Sequence, residues 1–114
     1  MSTPATLDRT LLALADPTRR AILQRLSTGE ARVTDVAQPF SMSLNAVSKH
    51  ILVLERARLV KRRKVGRDHY LSYRSGPMDA AAKWIDTTRT FWAARLDTLE
   101  RLLREEDEAV KRTS

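Results

Sequence analysis

Short polar side chains and a dense run of cations adjoin each other in the middle of the chain. Residues 42–55 (MSLNAVSKHILVLE) begin with small hydrogen-bonding side chains, and residues 60–67 (VKRRKVGR) are strongly basic. Amide, hydroxyl and ammonium groups can hydrogen-bond to base edges in the DNA major groove, and arginine and lysine bind phosphates. The two segments together therefore predict contact with double-stranded DNA.

The candidate base-reading residues belong to a predicted helix whose opposite face is apolar at Val47, Ile51, Leu54 and Ala57. They are Ser43, Leu44, Asn45, Ser48 and Lys49, and His50 on the same helix is a further candidate DNA contact. Asn45 suits adenine and Leu44 a thymine methyl group, because the N-terminal part of such a helix meets the bases. The alternative for each polar residue is plain solvent exposure. Ser43 also suits the helix cap, and His50 is either a phosphate contact or a packed residue.

The basic run is predicted to form a hairpin that grips the DNA backbone. Its candidate contacts are Arg62, Arg63, Lys64 and Arg67. Strand alternation puts Lys61 and Arg63 on one face and Arg62 and Lys64 on the other, so only some of them can face DNA together. We expect Arg67 at the tip to enter the minor groove or to contact a phosphate.

The distribution of charge supports this prediction. The net charge is +7, and residues 41–75 alone hold nine cations against Glu55 and Asp68, a local balance of +7. Both flanking parts are close to neutral, at +1 for residues 1–40 and −1 for residues 76–114. A basic stripe of this kind indicates binding to a polyanion, and the alternative is a solvated surface that keeps the protein in solution.

The elements that must position these residues are mostly helical. Asp16 and Pro17 signal the start of a second helix that buries Ala21, Ile22 and Leu26, and Gly29 signals its end. We predict one domain, mainly α with a small β-hairpin wing, in a winged helix-turn-helix arrangement. Its parts are dimerisation helices at about 6–15 and 77–106, a helix-turn-helix at 33–57 and a wing at 60–74.

Two apolar stripes at helical spacing, one near each end of the chain, predict a homodimer. Their residues are Leu7, Leu11 and Leu14 in the first helix, and Ile85, Trp92, Leu96, Leu99 and Leu103 in the last. The final helix is long for so small a body, and an exposed apolar stripe needs a partner. The alternative is that both helices close the protein's own core.

Composition excludes several other classes of function. The chain has no cysteine, so disulfides and thiolate metal sites are excluded. No segment is apolar enough for a membrane span or a signal peptide, and we expect a cytoplasmic protein. No Ser/His/Asp set, carboxylate pair or phosphate loop is evident, so we predict neither an enzyme nor a cofactor.

Several ordered motifs resemble the ArsR family of bacterial transcriptional regulators. They are residues 13–23 (ALADPTRRAIL), residues 46–51 (AVSKHI) with Leu54, Leu59-Val60, and residues 65–67 (VGR). The resemblance covers about residues 7–75 and implies a dimeric winged-helix protein that binds a palindromic operator, represses transcription and controls its own gene. Where family members often have glycine after the recognition helix, this chain has Arg58.

The chain departs from the metal-sensing members of that family. Residues 33–38, where those sensors place cysteines, contain none, and the last helix has carboxylates but no histidine. We therefore predict that it is not a metal sensor. Release from DNA would come from an apolar small molecule near Trp84 and Trp92, from a protein partner, or from concentration alone. A winged-helix module that binds proteins rather than DNA is the remaining alternative.

Overall fold

The structure is a computed structural model that describes residues 4–113. Its elements in chain order are helices α1 (Pro4–Leu14) and α2 (Pro17–Leu26), strand β1 (Ala31–Arg32), helices α3 (Val33–Ala37) and α4 (Leu44–Arg56), strands β2 (Val60–Val65) and β3 (Asp68–Tyr73), and helix α5 (Gly76–Thr113). The last helix continues past the predicted end at residue 106. The described part is thus mainly helical with a small sheet, as predicted.

The chain divides into two units, one that ends at Ala81 and one that begins at Ala82. The first unit holds the hydrophobic core, which includes the whole predicted apolar face: Val47, Ile51 and Leu54 of α4 and its C-cap residue Ala57. Within α2 the prediction was wrong at one position, because Ala21 is half-buried and Leu23 is buried in addition to Ile22 and Leu26. The second unit is the remainder of α5 and is helical throughout its described residues.

Helix α2 begins as its sequence predicts. The Asp16 carboxylate accepts hydrogen bonds from the backbone N–H groups of Thr18, at 2.8 Å, and Arg19, at 3.2 Å, and Pro17 occupies the first helical position. Partial burial opposes the charge on Asp16, but these bonds and the nearby His50 and Arg19 outweigh it and lower the pKa of its carboxyl. The cap therefore carries its charge at neutral pH.

Helix α4 ends in a Schellman motif around Arg58, which has a left-handed backbone with a φ of 60°. The N–H of Arg58 donates to the carbonyl of Glu55, and the N–H of Leu59 donates to the carbonyl of Leu54, each at 3.0 Å. A residue with a Cβ is strained in this conformation by about 1 kcal/mol. Arg58 is the one non-glycine residue with a positive φ among those that the structure describes.

The sheet has three antiparallel strands in the order β1-β3-β2. Strand β3 pairs with β2 along the whole predicted hairpin, from Val60 opposite Tyr73 to Val65 opposite Asp68. The turn therefore consists of Gly66, at a φ of 61°, and Arg67. The short strand β1, in which Ala31 faces Leu71, was not predicted. Because α3 begins at the residue after β1, this strand holds the start of α3 beside the hairpin.

Replacement of Arg58 by glycine should stabilise the protein, because glycine adopts the left-handed conformation without strain. We expect Arg58→Gly to raise the free energy of unfolding by about 1 kcal/mol, measured by urea denaturation. Arg56→Gly is the matched control, because it removes the same side chain from the last residue of α4 and should destabilise that helix. A loss of stability in Arg58→Gly would contradict the expectation.

Candidate nucleic-acid interface

The N-terminal part of α4 presents the predicted base-reading residues at the surface. Leu44, Asn45 and Lys49 are exposed, and Ser48 is half-buried. Ser43 accepts a hydrogen bond from the N–H of Ala46 at 3.1 Å, so its hydroxyl caps the helix. This end of α4 therefore combines an amide, an ammonium group and an exposed aliphatic side chain.

A groove of about 250 Å³ brings the start of α4 together with the tip of the wing. Its lining residues are Arg32, Val33, Thr34, Leu44, Ser48, Arg62, Arg67, Asp68 and His69. Leu44 and Ser48 thus share one surface with Arg67, although they are far apart in the sequence. Arg32 and Thr34 were not expected here, since only the sheet formed by β1 brings them beside the hairpin.

Arg62 faces α4 and links the wing to that helix. Its Nη2 and Nε atoms donate to Oε1 of Glu55 at 2.7 Å and 3.2 Å, and its Nη1 lies 3.2 Å from Nδ1 of His69. The guanidinium is half-buried. Glu55 is the one acidic residue in residues 41–67 of the sequence, a signal that could have pointed to this pair. Contact of Arg62 with DNA stays a prediction.

Arg63 lies on the opposite face of β2, as the predicted alternation requires. Its Nη2 and Nε donate to the two carboxylate oxygens of Glu30 at 2.6 Å and 3.3 Å, and its guanidinium lies 5.0 Å from the centre of the Tyr70 ring. The hydrogen bond from Arg63, which outweighs partial desolvation, lowers the pKa of the Glu30 carboxyl. The same bond raises the pKa of Arg63. The sequence offered no local signal for a pair 33 residues apart.

Lys64 and Arg67 are exposed at the far end of the wing. Lys64 pairs with His69 in the hairpin register, and Arg67 lies in the turn. Within residues 4–113 neither of them, nor Lys49 on α4, has a carboxylate within ion-pair distance. These three cations therefore remain available for phosphates, and Arg67 is the one of the three that lines the groove.

His50 points toward the start of α2 and not outward. Its Nδ1 lies 3.8 Å from Oδ1 of Asp16 and 3.3 Å from Nη1 of Arg19. Arg19 also donates to the carbonyls of Leu12 and Ala13, each at 2.8 Å, at the end of α1. This position agrees with the packed-residue alternative for His50, and Arg19 connects three helices.

The residues predicted for the dimer interface are more exposed in α5 than in α1. In α1, Leu7 and Leu14 are half-buried, and Leu14 packs against the core. Leu11 is 38% exposed, and its neighbour Leu12, which the spacing did not single out, is 65% exposed. In α5 the predicted residues are all at least half exposed: Ile85, Trp92, Leu96, Leu99 and Leu103.

The apolar residues of α5 follow one side of the helix. At about 100° per residue they lie within an arc of about 140°. The same arc includes the exposed side chains of Trp84, Phe91, Leu102 and Val110. Phe91 and Trp92 contact each other edge to face at 5.9 Å, and Arg95 stacks over Phe91 at 5.1 Å. The stripe is continuous over seven turns of the helix.

The described part of the chain contains neither a cluster of metal ligands nor a helix that could span a membrane. Within residues 4–113, no three His, Asp or Glu side chains lie close enough together to hold a metal ion. No helix in the same range is long and apolar enough to cross a membrane.

Comparison with known proteins gives a consistent set of relatives. A family model described as a helix-turn-helix domain matches residues 14–63. The HTH-type transcriptional regulator Rv2034 of Mycobacterium tuberculosis is 41% identical over 103 residues, which are 90% of this chain and 94% of that protein. The transcriptional repressor SdpR of Bacillus subtilis is 30% identical over 73 residues, 64% of this chain and 81% of that repressor.

Solved structures agree with these relatives. The crystal structure of an ArsR family transcriptional regulator matches with a TM-score of 0.77 and 38% identity, over 81% of this chain and 95% of that one. A homodimeric winged helix-turn-helix DNA-binding domain from Mycobacterium bovis matches with a TM-score of 0.59 and 26% identity, over 81% of this chain and 82% of that one. The predicted winged helix-turn-helix fold is thus confirmed.

The ion pair between Arg63 and Glu30 should make stability depend on pH. The pKa of Glu30 is lower in the folded protein, so its contribution is present above the ordinary glutamate pKa and is lost as the pH falls through the folded value. An NMR titration should give Glu30 a pKa below the ordinary value in the parent and close to that value in Arg63→Gln. Arg25→Gln, which removes a cation from α2, is the control. An unchanged Glu30 titration in Arg63→Gln would contradict this prediction.

Proposed function

Because the chain belongs to the ArsR family of DNA-binding transcriptional regulators, which are not enzymes, we propose that it is a homodimeric repressor that binds a palindromic operator in double-stranded DNA. It would act in the cytoplasm and control its own gene. Relatives named as a transcriptional regulator and a transcriptional repressor support this proposal.

The observation that carries the proposal is the groove shared by Leu44 and Ser48 of α4 and Arg67 of the wing. A helix in the major groove and a cation at the adjacent hairpin tip can contact one duplex at the same time. The exposed cations Lys49 and Lys64 add phosphate contacts that need no particular sequence. In this proposal Lys49 and Lys64 provide affinity for any duplex, whereas the side chains at the start of α4 distinguish one sequence from another.

The proposed roles follow from chemistry and position. Asn45 reads adenine through its amide, and Leu44 contacts a thymine methyl group. Ser48 contacts a base or a phosphate, and Arg67 enters the minor groove or binds a phosphate. Arg62 and Arg63 act mainly through Glu55 and Glu30, which hold the wing in place beside α4 and β1.

The apolar stripe of α5 is proposed as part of the homodimer interface. Large side chains at least half exposed along one side of a helix need a partner, and a second copy offers the same stripe. The homodimeric domain from Mycobacterium bovis supports this choice of partner. Two-fold symmetry in the protein then calls for a palindromic operator.

For release from DNA, the proposal is that metal ions are not the signal. The absence of cysteine, together with a last helix that lacks histidine, supports a repressor that does not sense metal ions. An apolar effector near Trp84 and Trp92 is an alternative that their exposure favours. A depression of about 480 Å³ on α5 is lined by Phe91, Leu99 and Leu102 but not by either tryptophan.

Fluorescence anisotropy on the DNA upstream of its own gene tests the function directly. At about 150 mM salt we expect a preference of about 10³-fold or more over a shuffled fragment, as for specific binders. Equally weak binding to both fragments would refute autoregulation. Binding to neither fragment would instead favour a protein-interaction module.

Asn45→Ala should weaken binding and relax the preference at one base pair in each half-site by about 1–3 kcal/mol. The loss should be measured against a set of operators that each differ at one position. Arg67→Ala is the comparison variant, and it should flatten the dependence of log K on log salt by about 0.9 for a lost phosphate contact. A loss in Asn45→Ala that is equal for all operators would refute base reading by Asn45.

A charge inside the stripe of α5 should convert the dimer to monomers. Leu99→Glu would bury a carboxylate against the partner's apolar side chains, so we expect at least a tenfold rise in the dimer dissociation constant in sedimentation equilibrium. Thr90→Glu is the matched control, since nine residues place it about 180° around the helix from Leu99. If the two substitutions raised the dimer dissociation constant equally, the stripe would not be part of the interface.

A further inference from the structure

A second cluster of cations lies at the C-terminal end of α4. Arg9, Arg56 and Arg58 line a depression of about 280 Å³, and Arg58, Lys61 and Arg74 line a neighbouring one of about 340 Å³. Arg58 belongs to both depressions. The five side chains therefore form one continuous patch, the rear basic surface.

None of these cations is neutralised by its neighbours. All five side chains are exposed, and in the part of the chain that the structure describes none has a carboxylate within ion-pair distance. Glu55 lines the second depression, but its carboxylate is bonded to Arg62. Five like charges without a counter-charge repel one another, and a bound polyanion would relieve that repulsion.

Arg58 holds its place in this patch against backbone strain. Its left-handed conformation suits glycine, and a side chain there is unfavourable. Strained positions persist where the surrounding structure holds them, and they cluster at binding and active sites. Arg58, which lines both depressions, puts its exposed guanidinium at the centre of the rear basic surface.

The five cations of the rear basic surface lie away from the start of α4 and the tip of the wing, although Arg62 lines both the groove and the second depression. Arg56 is about 16 Å along α4 from Asn45, at about 1.5 Å per residue. Lys61 and Arg74 lie at the base of the hairpin, where the N–H of Arg74 donates to the carbonyl of Leu59 at 2.8 Å, whereas Arg67 lies at its tip. The lengths of α4 and of the hairpin thus separate these cations from Asn45 and from Arg67.

We propose that the rear basic surface binds the phosphate backbone of a second double-stranded DNA segment. Four of its five cations are arginines, which bind phosphates in a bidentate manner. The residues that line the two depressions include no exposed aromatic or large aliphatic side chain, so a protein partner would find no apolar anchor. A broad array of separate cations matches a row of phosphates.

On α1, the rear basic surface and the predicted dimer contact at Leu11 face different directions. Arg9 precedes Leu11 by two residues, which puts the two side chains about 160° apart around α1. The inference rests on the proposed function, because the first duplex is the one bound by the groove. A protein with both surfaces would hold two DNA segments together.

A bridging experiment tests this inference. A biotinylated duplex from the upstream region is immobilised with the protein, and a fluorescent duplex of shuffled sequence is added. We expect the parent to retain the fluorescent duplex. In Arg58→Gly/Arg74→Ser retention should fall at least fivefold, while affinity for the immobilised duplex alone changes less than twofold. Arg58→Gly removes strain, so a folding defect is not the expected cause, and thermal unfolding of the variant checks this.

Arg25→Ala is the control for loss of positive charge elsewhere in the same unit, and it should bridge as the parent does. Retention in the double variant equal to that of the control would overturn the rear surface as a DNA site, since bridging would then come from the two grooves of a dimer. If the parent retained no fluorescent duplex, the rear basic surface would also be overturned as a DNA site. Failure of the parent to bind the immobilised duplex would overturn the proposed function too.

Discussion

The reversal of the chain after α4 determines where the wing lies, because Arg58 adopts a left-handed conformation and turns the backbone within two residues. Leu59, which is fully buried, then packs into the core, and β2 starts directly beside the helix it follows. Only this short connection brings Arg62 back to Glu55 on the last turns of α4. The position of the wing tip relative to the start of α4, and hence the groove between them, depends on that reversal.

Electrostatics divides the basic run of β2 into paired and unpaired cations. A strand with four consecutive cations would repel itself, and the fold neutralises one on each face, Arg62 with Glu55 and Arg63 with Glu30. The neutralised cations hold the hairpin in place, while Lys64, near the tip, has no carboxylate within ion-pair distance among residues 4–113. The net charge of the segment does not show which cations are paired. Strand alternation predicts the face on which each cation lies, but not its carboxylate partner.

The helices and the hairpin could be predicted because they depend on interactions between residues that are close in the sequence. The Asp16 cap, the apolar face around Ile51 and the Gly66 turn each depend on residues within a few positions. Strand β1 was missed because two residues are too few to show a period of two. The pair between Glu30 and Arg63 was missed because it depends on the register of strands that are distant in sequence. Side-chain partners across the sheet cannot be read from spacing along the chain.

The guanidinium of Arg19 has a consequence for how motion passes through the protein. It holds the last carbonyls of α1 and contacts the imidazole of His50 on the recognition helix, while Asp16 fixes its backbone at the start of α2. Because one guanidinium contacts all three helices, a displacement of α1 relative to α4 would break or strain at least one of these contacts. Mechanical coupling between α1 and α4 therefore needs no cavity between them, since the contacts of one side chain already join the two helices.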